Sequence, residues 1–547
     1  MKKVFTILVA AFMMLSMATA CSTGSSSSQA GSSGSNGTSS AAAVVENFNE
    51  TGFPIVNEPI TLTIAGQMNS LTTTWEGALQ LEYLTKLTGI EFNPEGYSSD
   101  AWKEQKGLMF ASNTLPDLFI SSGFTATELL EYGSGGQLLA LNDLLEKYGP
   151  DLQAALEEFP TAKAAMTSGD GNVYTLPLIT PVVRDMHNRY WINSVWLENL
   201  GLEVPETLDD LYSVLKTFQE EDANGNGDAA DEIPMSFVTG STIDGLILNA
   251  LGVNYNKQDA AFGITADSNG TVYCVHTSDA YKEYLKYMNK LYSEGLLDNE
   301  IFIQTEEQLT AKAQKNIIGV ASVSGAMYIT AGTEIGYDYT QFDALTSDIN
   351  STKMVTASQG FSVGGVAVSS TNKYPEATMR LLDYFYTEEG GRISYVGEEG
   401  VGWNWIDESA GTWDKAQPEG YESAEDFRWK KNIIGGWCGW QRQEFNAGQG
   451  SSNALLLNEM SEKYSEPYFV TAFPTLSLNE EDTATITSLV TDLTNYTQQS
   501  RARFIAGEDD IDASWDSYVA NMENMNVKTY VDIYQKYYTD YLAIIND

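Results

Sequence analysis

Cysteine and histidine are nearly absent from this chain. Among 547 residues there are three cysteines and two histidines, so no disulfide framework holds the fold and a large apolar core has to. Cys274 and Cys438 lie far apart in sequence and are read as two buried thiols, with a single bridge between them as the alternative. No Cys/His cluster exists to bind zinc or copper. A Ser-His-Asp or Cys-His catalytic site would have to use His187 or His276, and neither sits in a nucleophile motif, so both are read as structural. Positive charge is the other shortage. Lys and Arg number 30 against 74 Asp and Glu, a formal charge of −44, which argues against nucleic acid and against anionic membrane surfaces as partners.

What the chain has begins at its N-terminus. Lys2 and Lys3 precede an apolar run from Val4 to Met17 and then Ala18-Thr19-Ala20-Cys21, the pattern of a secretory signal over residues 1–20. The run is too short to span a bilayer as a mature helix. Two cleavages fit it: a lipoprotein cleavage that leaves lipid on the Cys21 thiol, or an ordinary secretory one after Ala18-Thr19-Ala20. The Ser/Gly-rich tract that follows reads as a tether over residues 21–53, with the membrane reached through the lipid. The rest exceeds what one core usually holds, so two lobes are expected. No internal repeat is found.

From Pro54 the pattern is β-α-β-α-β. Ile60 to Ile64 alternates as a strand, and a helix runs from Trp75 through Leu79, Leu81, Leu84 and Leu87 to Gly89. Ile90 to Tyr97 is a strand, Trp102 to Ala111 a helix, and Leu115 to Ile120 a third strand. That order implies a parallel sheet with crossover helices, whose ligands bind beyond the carboxyl ends of the strands. The loops starting at Gln67 and at Ser121-Ser122-Gly123 fall there.

The best-signalled stretch is Tyr190 to Phe237. Tyr190-Trp191-Ile192 is extended-prone, Asn193 or Ser194 caps a short helix carrying Trp196, Leu197 and Leu200, and Gly201 ends it. Thr207 caps a second helix, with Asp209 and Asp210 in its first turn where the helix dipole favours them. Leu208, Leu211, Leu215 and Phe218 share its buried face down to about Glu221. Next comes Asp222-Ala223-Asn224-Gly225-Asn226-Gly227-Asp228-Ala229-Ala230-Asp231-Glu232. Oxygen side chains at alternate positions with Gly227 at the sixth match the first half of an EF-hand-type calcium loop. Asp222, Asn224 and Asn226 would ligate through side chains and Asp228 through its carbonyl, with Asp231 or Glu232 closing the shell. The twelfth position is Ile233 rather than Glu, and a solvated acidic turn is the alternative.

The run W-L-x-x-L-G-L-x-V-P-x-T-L-D-D-L, then D-x-N-G-N-G and D-E-I-P, resembles the carbohydrate-type extracellular solute-binding proteins of ABC importers, in the large lipoprotein branch that includes alginate-oligosaccharide binders. Asp170-Gly171 through Leu176-Pro177, Tyr374-Pro375-Glu376-Ala377 through Asp383-Tyr384, and the closing helices from Phe504 to Tyr541 extend the likeness over roughly residues 57 to 545. The resemblance implies a two-lobed α/β fold of the periplasmic-binding-protein type II, a structural Ca2+ in the acidic loop, and an oligosaccharide ligand. It also implies delivery to ABC permease subunits from the outer face of the cell membrane, by a monomer without enzymatic turnover. Residues 54–181 and 361–400 are assigned to the N-terminal lobe, and 182–360 and 401–547 to the C-terminal lobe with its closing helices, with crossings near 180 and 360.

A sugar cleft needs flat aromatic faces flanked by polar side chains. Trp75 follows the first strand, Trp403 and Trp405 sit in a Gly/Asn-rich turn, and Trp437 and Trp440 flank Cys438 in Gly435-Gly436-Trp437-Cys438-Gly439-Trp440. These are the aromatic candidates, while Trp191, Trp196 and Trp515 sit on regular elements and are read as core. Ser121, Arg184, Asp185, Asn188 and Ser324 are the polar candidates. The competing reading is an extracellular glycoside hydrolase, which needs two carboxylates across a cleft; among so many acids no pair singles itself out. A binder of a non-sugar solute such as a peptide is the other alternative.

Overall fold

The computed structural model describes residues 47–238, 241–255, 262–331 and 333–546. Cys21, the signal segment and the Ser/Gly tract up to residue 46 lie outside the described residues. The expected tether does not extend to residue 53. Phe48 pairs with Val56 and packs edge-on against Tyr148, and Arg380 Nη1 donates to the Asn49 carbonyl at 2.7 Å. Half-buried against the first core, Phe48 makes this end of the expected linker part of the folded body.

The first sheet follows the expected order. Ile60–Gln67 pairs in parallel with Ile90–Tyr97 from Ile60↔Ile90 to Gln67↔Tyr97, and Leu118–Phe119 pairs in parallel on its other side. Ile60, Leu62 and Ile64 alternate into the core, as a half-buried strand requires. The crossover helices are Leu79–Thr88 and Ser99–Ser112, the second capped by Ser98 accepting from Ala101 N–H. The third strand is shorter than the expected Leu115 to Ile120. Pro116 has no N–H to donate, and the Asp117 carboxylate takes the Thr63 N–H at 2.8 Å in place of a ladder carbonyl. Phe361–Val368 then runs antiparallel between Leu118–Phe119 and Leu176–Ile179, and Gly439–Trp440 completes the edge.

That edge strand corrects the expected domain boundary. Residues 401–547 do not all belong to the second lobe, because the chain returns at 439–440 to the first sheet and buries Trp437 and Cys438 in the first core. The motif from Tyr374 to Tyr384 forms the helix Pro375–Tyr384, and a second helix, Glu388–Val396, follows it. Thr387 caps the second by accepting from Gly390 N–H.

The second sheet runs Tyr339–Gln341, Tyr190–Asn193, Ile318–Ser322, Ile233–Ser236. Here the local signals act as read. Asn193 accepts from Trp196 N–H, Gly201 takes the left-handed conformation, and Thr207 forms a capping box with Asp210. Trp191, Trp196 and Trp515 are buried, and Trp196 meets Phe218 edge-to-face at 5.2 Å. The closing helices Glu480–Ala506, Ile511–Asn524 and Val527–Asn546 add Phe504, Tyr518 and Tyr530 to this core. The two cysteines are free and buried in different cores, their thiols pushed up to about 12 by that burial, which makes them inert packing groups.

Three segments pass between the sheets rather than the two expected: around 180–189, around 355–360, and from Trp440 to the helix Ser452–Tyr464. The first two meet where His187 bridges Ala357, and Val355–Ala357 also pairs in parallel with Phe469–Thr471, which follows that helix.

Candidate functional site

The site is built from the ends of strands in both sheets and from the crossings. After Ile318–Ser322 the second sheet delivers Ser324 to Tyr328. The Ser324 carbonyl accepts from Arg189 Nη1 at 2.6 Å, and Arg189 Nη2 donates to Asp185 at 2.9 Å. One guanidinium therefore ties the first crossing to this loop in a fixed fork. From the first lobe, the loop after Ile60–Gln67 is held by Thr72 Oγ1 donating to the Trp429 carbonyl at 2.6 Å. Trp429 lies on the helix Ala424–Lys431, with Arg428 next to it and Glu425 a turn before it. Arg428 Nε donates to Glu425 at 2.8 Å and Lys415 also pairs with it. Burial pushes the Glu425 carboxyl up, but the Arg428 and Lys415 charges outweigh it and hold the group below the usual range.

Tyr328 stands on the second-sheet loop, its N–H donating to the Gly325 carbonyl at 3.0 Å. Burial by surrounding protein raises its phenol, and the charges of Arg189, Glu425, Asp185 and Arg184 all reach it, although 48% of the residue is exposed. The ring is thus open to solvent on the loop after Ile318–Ser322 while charged side chains of the first crossing and of the helix Ala424–Lys431 act on it. An aromatic face with carboxylates and guanidinium groups around it provides stacking together with hydrogen-bond donors and acceptors.

The residues expected from sequence separate into three groups. Trp75, Trp403 and Trp437 are core, each at most 3% exposed. Trp75 lies over Gly66 and Gly96, where a side chain would collide first with the Ile120 carbonyl and with Met68 and then crowd the indole. Trp437 stacks on Phe385 and donates to Gln80 Oε1 at 2.8 Å, and Trp403 donates to the Gly397 carbonyl at 3.2 Å. Glycine-rich loops thus bring the backbone close enough to turn these indoles inward, contrary to the expectation of cleft walls. Arg184 is also interior, its guanidinium donating to the Asn446 carbonyl, Asn458 and Gln449 at 3.2, 2.9 and 3.3 Å. It staples the first crossing to the third.

Ser121 and Ser324 stand at loop positions on the site side. Ser121, in a left-handed conformation, donates its N–H to the Gly436 carbonyl at 2.8 Å, and Asn188 is half-buried in the crossing. Trp405 and Trp440 come together elsewhere. Half-buried, they line a recess of about 480 Å³ with Glu158, Glu388, Arg392, Gly411, Arg442, Glu444 and Phe445. Sequence reasoning passed over Tyr328 and Trp429; the signal was an aromatic just after a strand end and one beside the i,i+3 pair Glu425/Arg428.

The acidic loop has the architecture read from its sequence. Asp222 accepts from Asn226 and Gly227 N–H at 3.0 and 2.8 Å, Asn224 from Asn226 N–H at 2.9 Å, and Asn226 from Asp228 N–H at 2.8 Å. Alternate oxygens are turned inward over the coil, and Gly227 sits at φ +92° as its place requires. Asp231 receives both amides, Asn224 Nδ2 at 3.0 Å and Asn226 Nδ2 at 2.8 Å. Rotating either amide would present its oxygen instead. Glu232 Oε2 is buried without a hydrogen-bond partner, and burial pushes this carboxyl up. Ile233 enters the sheet through its N–H to the Ile317 carbonyl at 2.8 Å, so the twelfth position is structural. Among the described residues no three His, Cys, Asp or Glu gather closely enough to hold a metal. A cation here draws on the asparagine oxygens, which suits a hard ion.

The family model for bacterial extracellular solute-binding proteins matches residues 65–392. The chain belongs to that family. A curated relative, the fructooligosaccharide ABC transporter substrate-binding protein FusA of Streptococcus pneumoniae, is 29% identical over 479 residues, covering 85% of this chain and 87% of FusA. Two solved structures of FusA are similar at 27% identity, each covering 88% of this chain and 100% of the other. One, in complex with kestose, superposes with a TM-score of 0.74; the other, an EF-hand mutant in complex with fructo-nystose, with 0.75. This solute-binding protein therefore has the two-lobed type II fold of its family, and it is a binding protein rather than an enzyme. The hydrolase alternative falls with that assignment.

Proposed function

We propose that this protein captures an oligosaccharide between its two lobes and delivers it, unchanged, to the permease subunits of an ABC transporter. The observation that carries this is the setting of Tyr328. An accessible ring from one lobe sits within reach of Glu425, Asp185 and Arg189, and Trp429 stands beside a first-lobe loop. Kinship to FusA, which is described as binding fructooligosaccharide, supports a neutral saccharide as cargo. Ligand contacts on both lobes would favour a closed arrangement over an open one. Cys21 fits a lipid anchor holding a monomer at the outer face of the membrane. The acidic loop fits a structural Ca2+ held by Asp222, Asn224, Asn226, the Asp228 carbonyl, Asp231 and Glu232, which would fix the end of the helix Leu208–Glu220 against the next strand. That FusA has a variant described as an EF-hand mutant is consistent with such a loop.

Calorimetry with 1-kestose, nystose, xylotriose, mannotriose and trigalacturonate, with product analysis of each mixture, tests the reading. At least one saccharide binds at one site in the micromolar range and is recovered intact. Silence across the panel, with saturable heat from a peptide library, overturns it.

A further inference from the structure

The recess lined by Trp405 and Trp440 is separate from Tyr328. Its lining includes neither Tyr328 nor Arg189, Asp185 or Glu425. One side is the end of the helix Pro150–Glu158 and the first turns of Glu388–Val396; the other is the hairpin of Trp403–Asp407 with Thr412–Lys415 and the short helix Gln443–Ala447. Its volume, about 480 Å³, is in the range of small-molecule sites.

Its chemistry is specific. Arg442 stacks on Trp440, and Arg392 lies near both Trp405 and Phe445, 5.0 Å from the latter ring. Arg392 pairs with Glu388, while Arg442 is in no ion pair among the described residues and donates only from Nη2 to the Tyr386 carbonyl at 3.2 Å. Arg392 Nε and Arg442 Nη1 are sealed from solvent with no acceptor. Burial lowers the Arg442 guanidinium below its usual value, as expected for a cation drawn out of water. Glu158 and Glu444 are exposed acceptors on the rim.

A simple anion would meet the glutamates here, and a simple cation the arginines. A dense set of hydroxyls meets neither penalty, because each hydroxyl both donates to carboxylates and accepts from guanidinium N–H, while the C–H face of a ring lies on an indole. We propose that this recess is a second saccharide site, for one or two neutral sugar units, independent of the interlobe groove. It stands whether or not the groove takes sugar.

The test uses the full folded chain labelled with 5-fluorotryptophan, the Trp405 resonance being identified by its loss in Trp405→Phe. Titration with 1-kestose, maltotriose and cellotriose is followed by 19F NMR in the parent and in Tyr328→Ala. The expected result is a saturable shift of the Trp405 resonance with at least one sugar, with a Kd on the order of 1 mM. Tyr328→Ala leaves it in place, and Arg442→Gln weakens it about tenfold. Glu444→Gln, an exposed change that does not challenge folding, weakens it severalfold. No saturable shift with any of the three sugars overturns the proposal. So does a shift that vanishes in Tyr328→Ala, which would report the groove instead.

Discussion

His187 Nε2 lies 3.3 Å from Asp343 Oδ2, with neither side chain exposed, at the junction of the crossing segments. The contact is not aligned as a hydrogen bond. Asp343 also accepts from Tyr190 N–H at 2.7 Å and Ser465 Oγ at 2.5 Å. His187 faces the Val183 carbonyl through Nδ1 at 3.2 Å and packs its ring against Phe469 at 5.2 Å. One pair thus ties the first crossing to the strand Tyr190–Asn193 and to Ser465.

Removing a buried acceptor leaves its donors Tyr190 N–H and Ser465 Oγ unsatisfied, at a cost of about 1–3 kcal/mol each. Asp343→Ala is therefore expected to lower unfolding stability by that order in urea titration, and His187→Ala by less. Together the two substitutions should be less damaging than the sum, with a coupling of about 1 kcal/mol or more. Strict additivity would show that the two residues act separately.

Tyr328 is half exposed, so its loss should change binding and spare folding. Tyr328→Ala is expected to weaken the saccharide found by calorimetry at least tenfold, about 1.4 kcal/mol, with the melting temperature held within about 2 °C. Tyr328→Phe should retain most of the affinity if the ring face carries the contact. Equal losses in both variants would instead assign the contact to the hydroxyl.

For the acidic loop, the unpartnered Glu232 Oε2 beside inward-turned oxygens leads to a direct expectation. Chelation lowers the melting temperature, restored calcium raises it, and Asp222→Ala removes the difference. Because stabilisation follows the logarithm of free ion over Kd, the melting temperature should climb with added calcium rather than step once. Indifference of the parent chain to chelator leaves an acidic turn held by its own Asx bonds.

How much of this was legible from sequence depended on the range of the interactions involved. Asn193, Gly201, Thr207 and the Asx/Gly loop act within a few residues of themselves, and each took the predicted place. Tryptophan orientation is set by distant partners. Nothing around Trp437 in the chain announces Gln80, which takes its indole N–H, and nothing near Trp75 announces that its indole covers Gly66 and Gly96. The return of Gly439–Trp440 to the first sheet was hidden for a related reason. A two-residue edge strand has no periodicity to read. Conversely, the setting of Tyr328 depends on Glu425 and Asp185 converging from remote segments, a juxtaposition created by the crossings themselves.

Asp383 offers a test of the first lobe by pH alone. It is 6% exposed on the helix Pro375–Tyr384 and accepts from Leu152 N–H at 2.8 Å and Asp151 N–H at 3.4 Å, capping the helix Pro150–Glu158 from outside. Burial is the main cause that raises its carboxyl from 3.8 to about 7; Asp151 adds to the rise, while the two backbone donors and Arg380 oppose it. A carboxyl with a higher pKa folded than unfolded binds more protons in the folded state across that window, so stability falls as pH rises through it. This contribution is fully present below about pH 4 and gone above about pH 7, a difference of about 4 kcal/mol at most. Asp383→Asn keeps an acceptor and cannot ionise. Other groups titrate identically in both chains, so the stability of the variant relative to the parent should rise steadily from pH 4 to 8. A difference that stays flat across that range would mean Asp383 is ionised in the folded protein throughout, its two N–H donors prevailing over burial.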